Sequence, residues 1–266
     1  MNRIVLLLII CLMGKLLPAS ATTPLVDISD IPVLRDGPGK GNYAYFQGRV
    51  FDVLMTTNLS LLVYPVEGGK RAGPPIEIIN CNANLSAQLR VVSIVQPAPP
   101  AMNPSKLFFD FVSDSGAHVL QTWKLRDGSL TVDNQLTGFP YENIPRLNIA
   151  VRFPQTHSIA TNTPQSERIK ITAGCALRWR SGQNDGTLKI YSAPYANRVD
   201  LLGFCDWIEH KGPWGTRKIT LRRTNSKSYF QPLGVKFAYE GLGLMFFSRP
   251  DAKHKVETQG FELKVE

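Results

Sequence analysis

A chain of 266 residues with 43% hydrophobic content is long enough to bury a substantial core and too apolar to be a disordered polymer. Four cysteines and four histidines, none of them closely paired, exclude a disulfide-built miniature scaffold and a zinc site built on neighbouring Cys or His ligands. The formal net charge of +9 points toward anionic partners.

The chain opens MNRIVLLLIICLMGKLLPASATTP. A basic Arg3, an unbroken apolar run from Ile4 to Met13, and the small-x-small Ala19-Ser20-Ala21 after Pro18 form the three-part pattern of a secretory signal peptide. Ten apolar residues are too few to span a bilayer, which needs about 20. Residues 1–21 are therefore expected to be cleaved near Ala21. The product would have no integral membrane segment and would be secreted, periplasmic or displayed on the cell surface. Cys81, Cys175 and Cys205 remain, enough for one bridge and one buried thiol; Cys175 with Cys205 is the expected pair, because both lie in strand-like stretches of the same half.

Beyond the leader, helical periodicity is nearly absent. Short alternating or β-branched runs separated by Gly, Pro, Asn and Asp predict strands at 43–55, 59–64, 75–80 and 88–95. More follow at 107–113, 117–125, 129–133, 147–153, 168–180, 187–192, 199–206, 217–223, 229–239, 243–248 and 259–265. In the last, Phe261, Leu263 and Val265 share one face and Glu262, Lys264 and Glu266 the other, the mark of a strand with one buried side. Asp114-Ser115-Gly116, Arg126-Asp127-Gly128 and Asn184-Asp185-Gly186 are expected as hairpin turns. About fifteen strands predict an all-β fold, a large antiparallel β-sandwich of supersandwich type with little or no helix.

The segment 96–105, QPAPPAMNPS, carries four prolines and cannot be a central strand. It divides an N-terminal β segment, 22–95, from a main sandwich domain, 106–266, either as a linker or as a crossover. The N-terminal segment is short for a domain of its own and is expected to pack against the rest.

Charge separates the halves as well. Residues 22–165 hold eleven Lys/Arg and eleven Asp/Glu, whereas residues 166–266 hold seventeen against ten. No acid falls between Glu209 and Glu240, a stretch containing Lys211, Arg217, Lys218, Arg222, Arg223, Lys227 and Lys236. Such a field attracts polyanions: acidic polysaccharide, anionic headgroups or nucleic acid, the last disfavoured by the secretory leader.

The densest chemistry lies at 203–215, GFCDWIEHKGPWG. Asp206, Glu209 and His210 are the only candidates for catalysis there, and two acids three residues apart in one loop are a weak glycosidase signal, since such pairs usually come from separate elements. There is no Gly-x-Ser-x-Gly elbow and no His-Glu-x-x-His pair. Trp214, between Pro213 and Gly215, is expected as an exposed aromatic at a turn covering Glu209–Gly215, with Trp207 ending the preceding strand. In TRKITLRR, Ile219 and Leu221 face inward and Lys218, Thr220 and Arg222 outward. Trp123 and Trp179 are expected in the core, and Asp110, in LFFDFVS, is expected to pair with a base.

Aromatic rings beside cations on a secreted β scaffold suit a sugar chain, with rings on the sugar faces and polar groups on the hydroxyls. The expected function is thus a non-catalytic carbohydrate-binding protein, with Trp214, Trp207, Lys218 and Arg222 as contacts and an acidic polysaccharide or other extracellular polyanion as partner. A carbohydrate-active enzyme using Asp206, Glu209 or His210, and a structural or adhesive envelope protein without a small ligand, are the alternatives. No cofactor and no metal is expected.

Overall fold

The computed structural model describes residues 25–26, 31–79, 91–95, 101–113, 116, 118–138, 149–152, 176–189, 205–212, 214–224, 228–233, 243–248 and 259–266. The expected leader, the turn residues Asp114 and Ser115, and the 96–100 part of the proline-rich segment lie outside them. The described residues form strands and turns, with no helix among them.

In chain order the strands are β1 (Leu25–Val26), β2 (Ala44–Gln47), β3 (Phe51–Met55), β4 (Leu61–Glu67), β5 (Lys70–Arg71), β6 (Ile76–Ile79) and β7 (Val91–Val95). Then come β8 (Ala101–Met102), β9 (Lys106–Ser113), β10 (His118–Arg126), β11 (Ser129–Thr137) and β12 (Ile149–Arg152). The last are β13 (Ala176–Ser181), β14 (Asn184–Lys189), β15 (Trp207–Lys211), β16 (Lys218–Arg223), β17 (Ser228–Leu233), β18 (Gly243–Ser248) and β19 (Gln259–Val265).

They make two sheets. A ten-stranded sheet runs β1-β7-β9-β10-β11-β19-β16-β15-β13-β14, and a nine-stranded sheet runs β17-β18-β12-β6-β4-β3-β2-β8 with β5 paired to β4. Every pairing is antiparallel except β2 with β8. The architecture is the all-β sandwich that the alternating runs predict. Strands from 25–95 enter both sheets: β7 pairs with β9 in the first and β6 with β12 in the second.

The core is the set of inward positions fixed by period two. The first sheet contributes Phe109, Phe111, Trp123, Leu130, Ile208, Leu221, Phe261 and Leu263; the second contributes Phe51, Val53, Leu61, Val63, Ile76, Ile78 and Val151. The rings of Tyr43 and Phe109 meet at 5.6 Å between centroids. Trp123 is buried as expected, its indole N–H donating to Gln121 at 2.7 Å, and Gln121 in turn donates to Asn134 at 2.8 Å. That chain satisfies polar groups which would otherwise cost about 1–3 kcal/mol each when buried.

Among the boundaries that differ from the sequence expectation, two have a clear cause. The single strand expected over 43–55 is a hairpin, β2 and β3, broken at Gly48. Asp127 accepts the backbone N–H groups of Arg49 (2.8 Å) and Val50 (3.2 Å) and the Arg49 Nε (2.7 Å), clamping this turn to the β10–β11 turn. The Arg49 guanidinium, with those backbone donors, holds the Asp127 carboxyl below its ordinary value. Second, the turn expected at Asn184-Asp185-Gly186 falls instead at Gly182-Gln183, with Ser181 opposite Asn184. Gly182 supplies the left-handed backbone, φ +60°, that this tight turn requires. The Asp127–Gly128 turn lies where expected, with Arg126 opposite Ser129.

Candidate functional site

An open cleft of about 560 Å³ lies over β13, β14, β15 and β16, lined by Arg178, Trp179, Arg180, Asp185, Gly186, Asp206, Trp207, Arg222 and Arg223. Four guanidiniums, two carboxylates and two indoles thus meet in one depression.

Strand register assembles it. Asp185 is opposite Arg180, Arg180 opposite Trp207, and Trp207 opposite Arg222, on β14, β13, β15 and β16 in turn. The next residue in this row is Glu262 on β19. Residues directly opposite share a face, so this row lies on the outer surface, while the adjoining row, Trp179, Ile208 and Leu221, faces the core. Trp179 is half-buried against the core and close to Gly186; a Cβ there would approach the indole to 2.9 Å, so the bare backbone of Gly186 is what admits the ring.

Ion pairing divides the four arginines. Arg223 is held by Asp206 at 3.0 Å, and Asp206 also accepts the Gly182 N–H at 2.9 Å. Arg178 reaches Glu209 at 3.4 Å and lies 5.7 Å from the Trp207 ring centroid, a cation–π geometry that helps to set the indole. Glu262, the row neighbour of Arg222, is instead engaged by Lys264 at 3.4 Å and by the Ser129 hydroxyl at 2.9 Å. Arg180 and Arg222 are both exposed, and neither makes an ion pair among the described residues. The cleft therefore presents two uncompensated guanidiniums on either side of a half-buried indole.

Three sequence expectations are corrected here. Trp214 is not an exposed tip: it is 0% exposed. The Glu209–Gly215 turn starts later, because β15 runs on through Lys211 with His210 opposite Ile219. Trp207 begins β15 rather than ending a strand. Lys218 faces outward as expected, opposite Lys211 and four residues along β16 from Arg222, or about 13 Å. Its ammonium pairs with Glu266 at 2.8 Å and Glu209 at 3.1 Å, and those two carboxylates raise its pKa.

Burial of Trp214 has clear causes. Gly212 leaves room for the ring to fold back: a Cβ at Gly212 would come within 2.7 Å of the Trp214 ring and 2.6 Å of the His210 ring. The indole lies edge-on to His210 at 5.2 Å and donates to the Pro74 carbonyl at 2.9 Å. The turn is then fastened to the other sheet: the Arg217 Nε donates to the Val66 carbonyl at 2.8 Å, and the Thr216 N–H donates to Glu67 at 3.2 Å. Glycines on both sides of Pro-Trp were the available signal: Gly215, at φ +65°, does form the turn, while Gly212 leaves the space into which the ring folds.

The three catalytic candidates do not come together. Asp206 lines the cleft, committed to Arg223 and the Gly182 backbone. Glu209 is an odd number of residues away and is occupied on the outer face by Arg178 and Lys218. His210 is wholly buried on the inward side, and burial pushes its pKa down to about 3, so it is neutral at any physiological pH. Cys205 is a buried thiol whose pKa burial raises to about 12, far from a nucleophile's. Its expected bridging partner, Cys175, lies outside the described residues, as does Cys81. Asp110 does pair with a base: His118 Nδ1 is 2.8 Å and 2.9 Å from its two oxygens, on the outer face of β9 and β10. No group of three or more metal-ligating side chains occurs among the described residues.

No family model and no curated protein matches the chain. Among solved structures it is similar to an alpha-N-acetylgalactosaminidase from Bifidobacterium bifidum in complex with GalNAc (10% identity, TM-score 0.49, covering 84% of this chain). The present chain spans 36% of that protein's length. It is also similar to a putative aldose 1-epimerase from Escherichia coli K12 (10% identity, TM-score 0.42, covering 84% of this chain and 98% of that one). A third is a putative mutarotase from Salmonella typhimurium (10% identity, TM-score 0.38, covering 90% and 97%). At such scores the likeness assigns no activity, and the functional reading has to come from the cleft.

Proposed function

We propose that this protein is a secreted, non-catalytic β-sandwich that binds carbohydrate in the cleft around Trp207, with Arg222 and Arg180 as its charged contacts and an acidic sugar chain as its ligand. The observation that carries the reading is the outer row Arg180–Trp207–Arg222, in which an indole sits between two guanidiniums that no carboxylate neutralises among the described residues. An aromatic ring supplies the apolar platform that a sugar face needs, and uncompensated arginines supply bidentate donors for acid groups. The openness of the depression suits a chain that passes through rather than a small molecule enclosed on all sides. Binding without chemistry fits the dispersal of Asp206, Glu209 and His210 and the engagement of both acids by cations. The leader read at 1–21 would deliver the protein to where extracellular polysaccharides are found.

The test is affinity electrophoresis and a glycan array at low ionic strength with the wild-type protein and with Trp207→Ala. Retardation by acidic polysaccharides that the substitution abolishes is the expected result. An array with no signal for any glycan overturns the reading.

A further inference from the structure

We propose that the sugar chain lies across the strands and carries its acid groups on alternate units, so that Arg180 and Arg222 each take one acid group while a neutral unit rests on Trp207. This deepens the carbohydrate reading of the same cleft and rests on it.

The three residues are consecutive in register on three adjacent strands, β13, β15 and β16. Neighbouring strands are about 4.8 Å apart, which puts the Arg180 and Arg222 backbones about 10 Å from one another. That is about one disaccharide of an extended pyranose chain. Between them the outer row offers only the indole, which has no charge to give an acid group and a face to give a neutral ring. The remaining arginines of the cleft do not blur this two-point pattern. Arg223 is neutralised by Asp206, and Arg178 is bound to Glu209. Beyond Arg222 the row meets Glu262, and beyond Arg180 it meets Asp185, so a carboxylate stands at each end of the anion-accepting stretch. A polymer with charge at every step would bring acid groups against those carboxylates. A nucleic acid is the clearest case, because it carries a phosphate at every nucleotide with no neutral unit between.

The experiment is isothermal titration of the full chain at low salt. The probes are alternating uronate–N-acetylhexosamine oligosaccharides of hyaluronan type, a tetrasaccharide with two carboxylates and a disaccharide with one. A neutral chitin tetrasaccharide and a short oligothymidylate complete the series. The proteins are wild type, Arg180→Gln, Arg222→Gln and the double variant, all altered at exposed positions. The tetrasaccharide is expected to bind at least about tenfold more tightly than the disaccharide. Each single substitution should cost about tenfold on the tetrasaccharide, since each removes one charge-assisted contact, and the double variant should lose both increments. On the disaccharide the double variant should lose no more than one increment. Equal affinity for the two lengths, an unaffected single variant, or tighter binding of oligothymidylate than of the tetrasaccharide overturns the inference. If glycans bind without the two-acid dependence, only this inference falls. If no glycan binds, the carbohydrate reading falls with it.

Discussion

The indole N–H of Trp214 donates to the carbonyl of Pro74 at 2.9 Å, joining the turn after β15 to the loop before β6, and so one sheet to the other. The ring is fully buried, and its edge meets His210. Trp214→Ala should therefore destabilise the fold by about 3–5 kcal/mol, as for other large aromatics removed from a core. Trp214→Phe should cost less, the lost hydrogen bond contributing about 1 kcal/mol alongside the smaller volume. Urea denaturation checks both, and glycan affinity measured on the folded fraction should stay within a few-fold of wild type.

Stability should fall in mild acid through His210. Its folded pKa, depressed by burial to about 3, lies below the ordinary 6.5. Between those values the unfolded chain takes up a proton that the folded chain refuses, so stability is full above about pH 6.5 and declines as pH drops toward 3. The slope attributable to this residue has a ceiling of about 1.4 kcal/mol per pH unit. Urea midpoints from pH 7 to pH 4 should show a shallower fall in His210→Gln than in wild type. Parallel slopes would remove His210 from the account.

Gly186→Ala places a methyl group 2.9 Å from the Trp179 indole, on the cleft wall. The ring must shift, at a cost of about 1–3 kcal/mol, the usual range for overpacking. Because the displaced ring lines the same cleft as Trp207 and Arg180, weaker glycan binding should accompany the lower stability. Thermal melts together with titration of the folded protein measure the pair.

Arg222 and Lys218, both outward on β16, should behave differently. Arg222→Gln should weaken binding of an acidic glycan about tenfold. Lys218→Gln should change it less than about threefold, since this ammonium already serves Glu266 and Glu209 and lies four residues along β16 from Arg222, about 13 Å. Raising salt from 50 to 500 mM should erode wild-type affinity for acidic glycans and leave Arg180→Gln/Arg222→Gln much less sensitive.

Period two made the fold class legible, because alternation along a strand is a local property. β18 and β19 have the predicted limits, and the inward set Ile219, Leu221, Phe261 and Leu263 follows from alternation alone. The break at Gly48 was not legible, since it depends on Asp127 approaching from another hairpin. Nor was the interior position of Trp214, which depends on a carbonyl 140 residues away in sequence. At the cleft, Trp207 and Arg222 could be singled out by residue type, but Arg180 could not. Only the register of β13 on β15 sets Arg180 against Trp207, and strand order is not written in either segment. Lys218 faces outward as alternation predicts, and the same register sets it opposite Lys211, four residues along β16 from Arg222.

The row Arg180–Trp207–Arg222 alternates with a row of core residues, Trp179, Ile208 and Leu221, one step away on the same three strands. A slip of one residue in any of these strands would exchange the rows, turning indole and guanidinium inward and leucine or isoleucine outward. No peptide cut from 176–223 can then be expected to hold the proposed ligand, because the row exists only once the ladder is in register. If the cleft binds as proposed, ligand affinity is a gauge of correct strand alignment, and a variant that keeps its β content but pairs out of step should announce itself first by failing to bind.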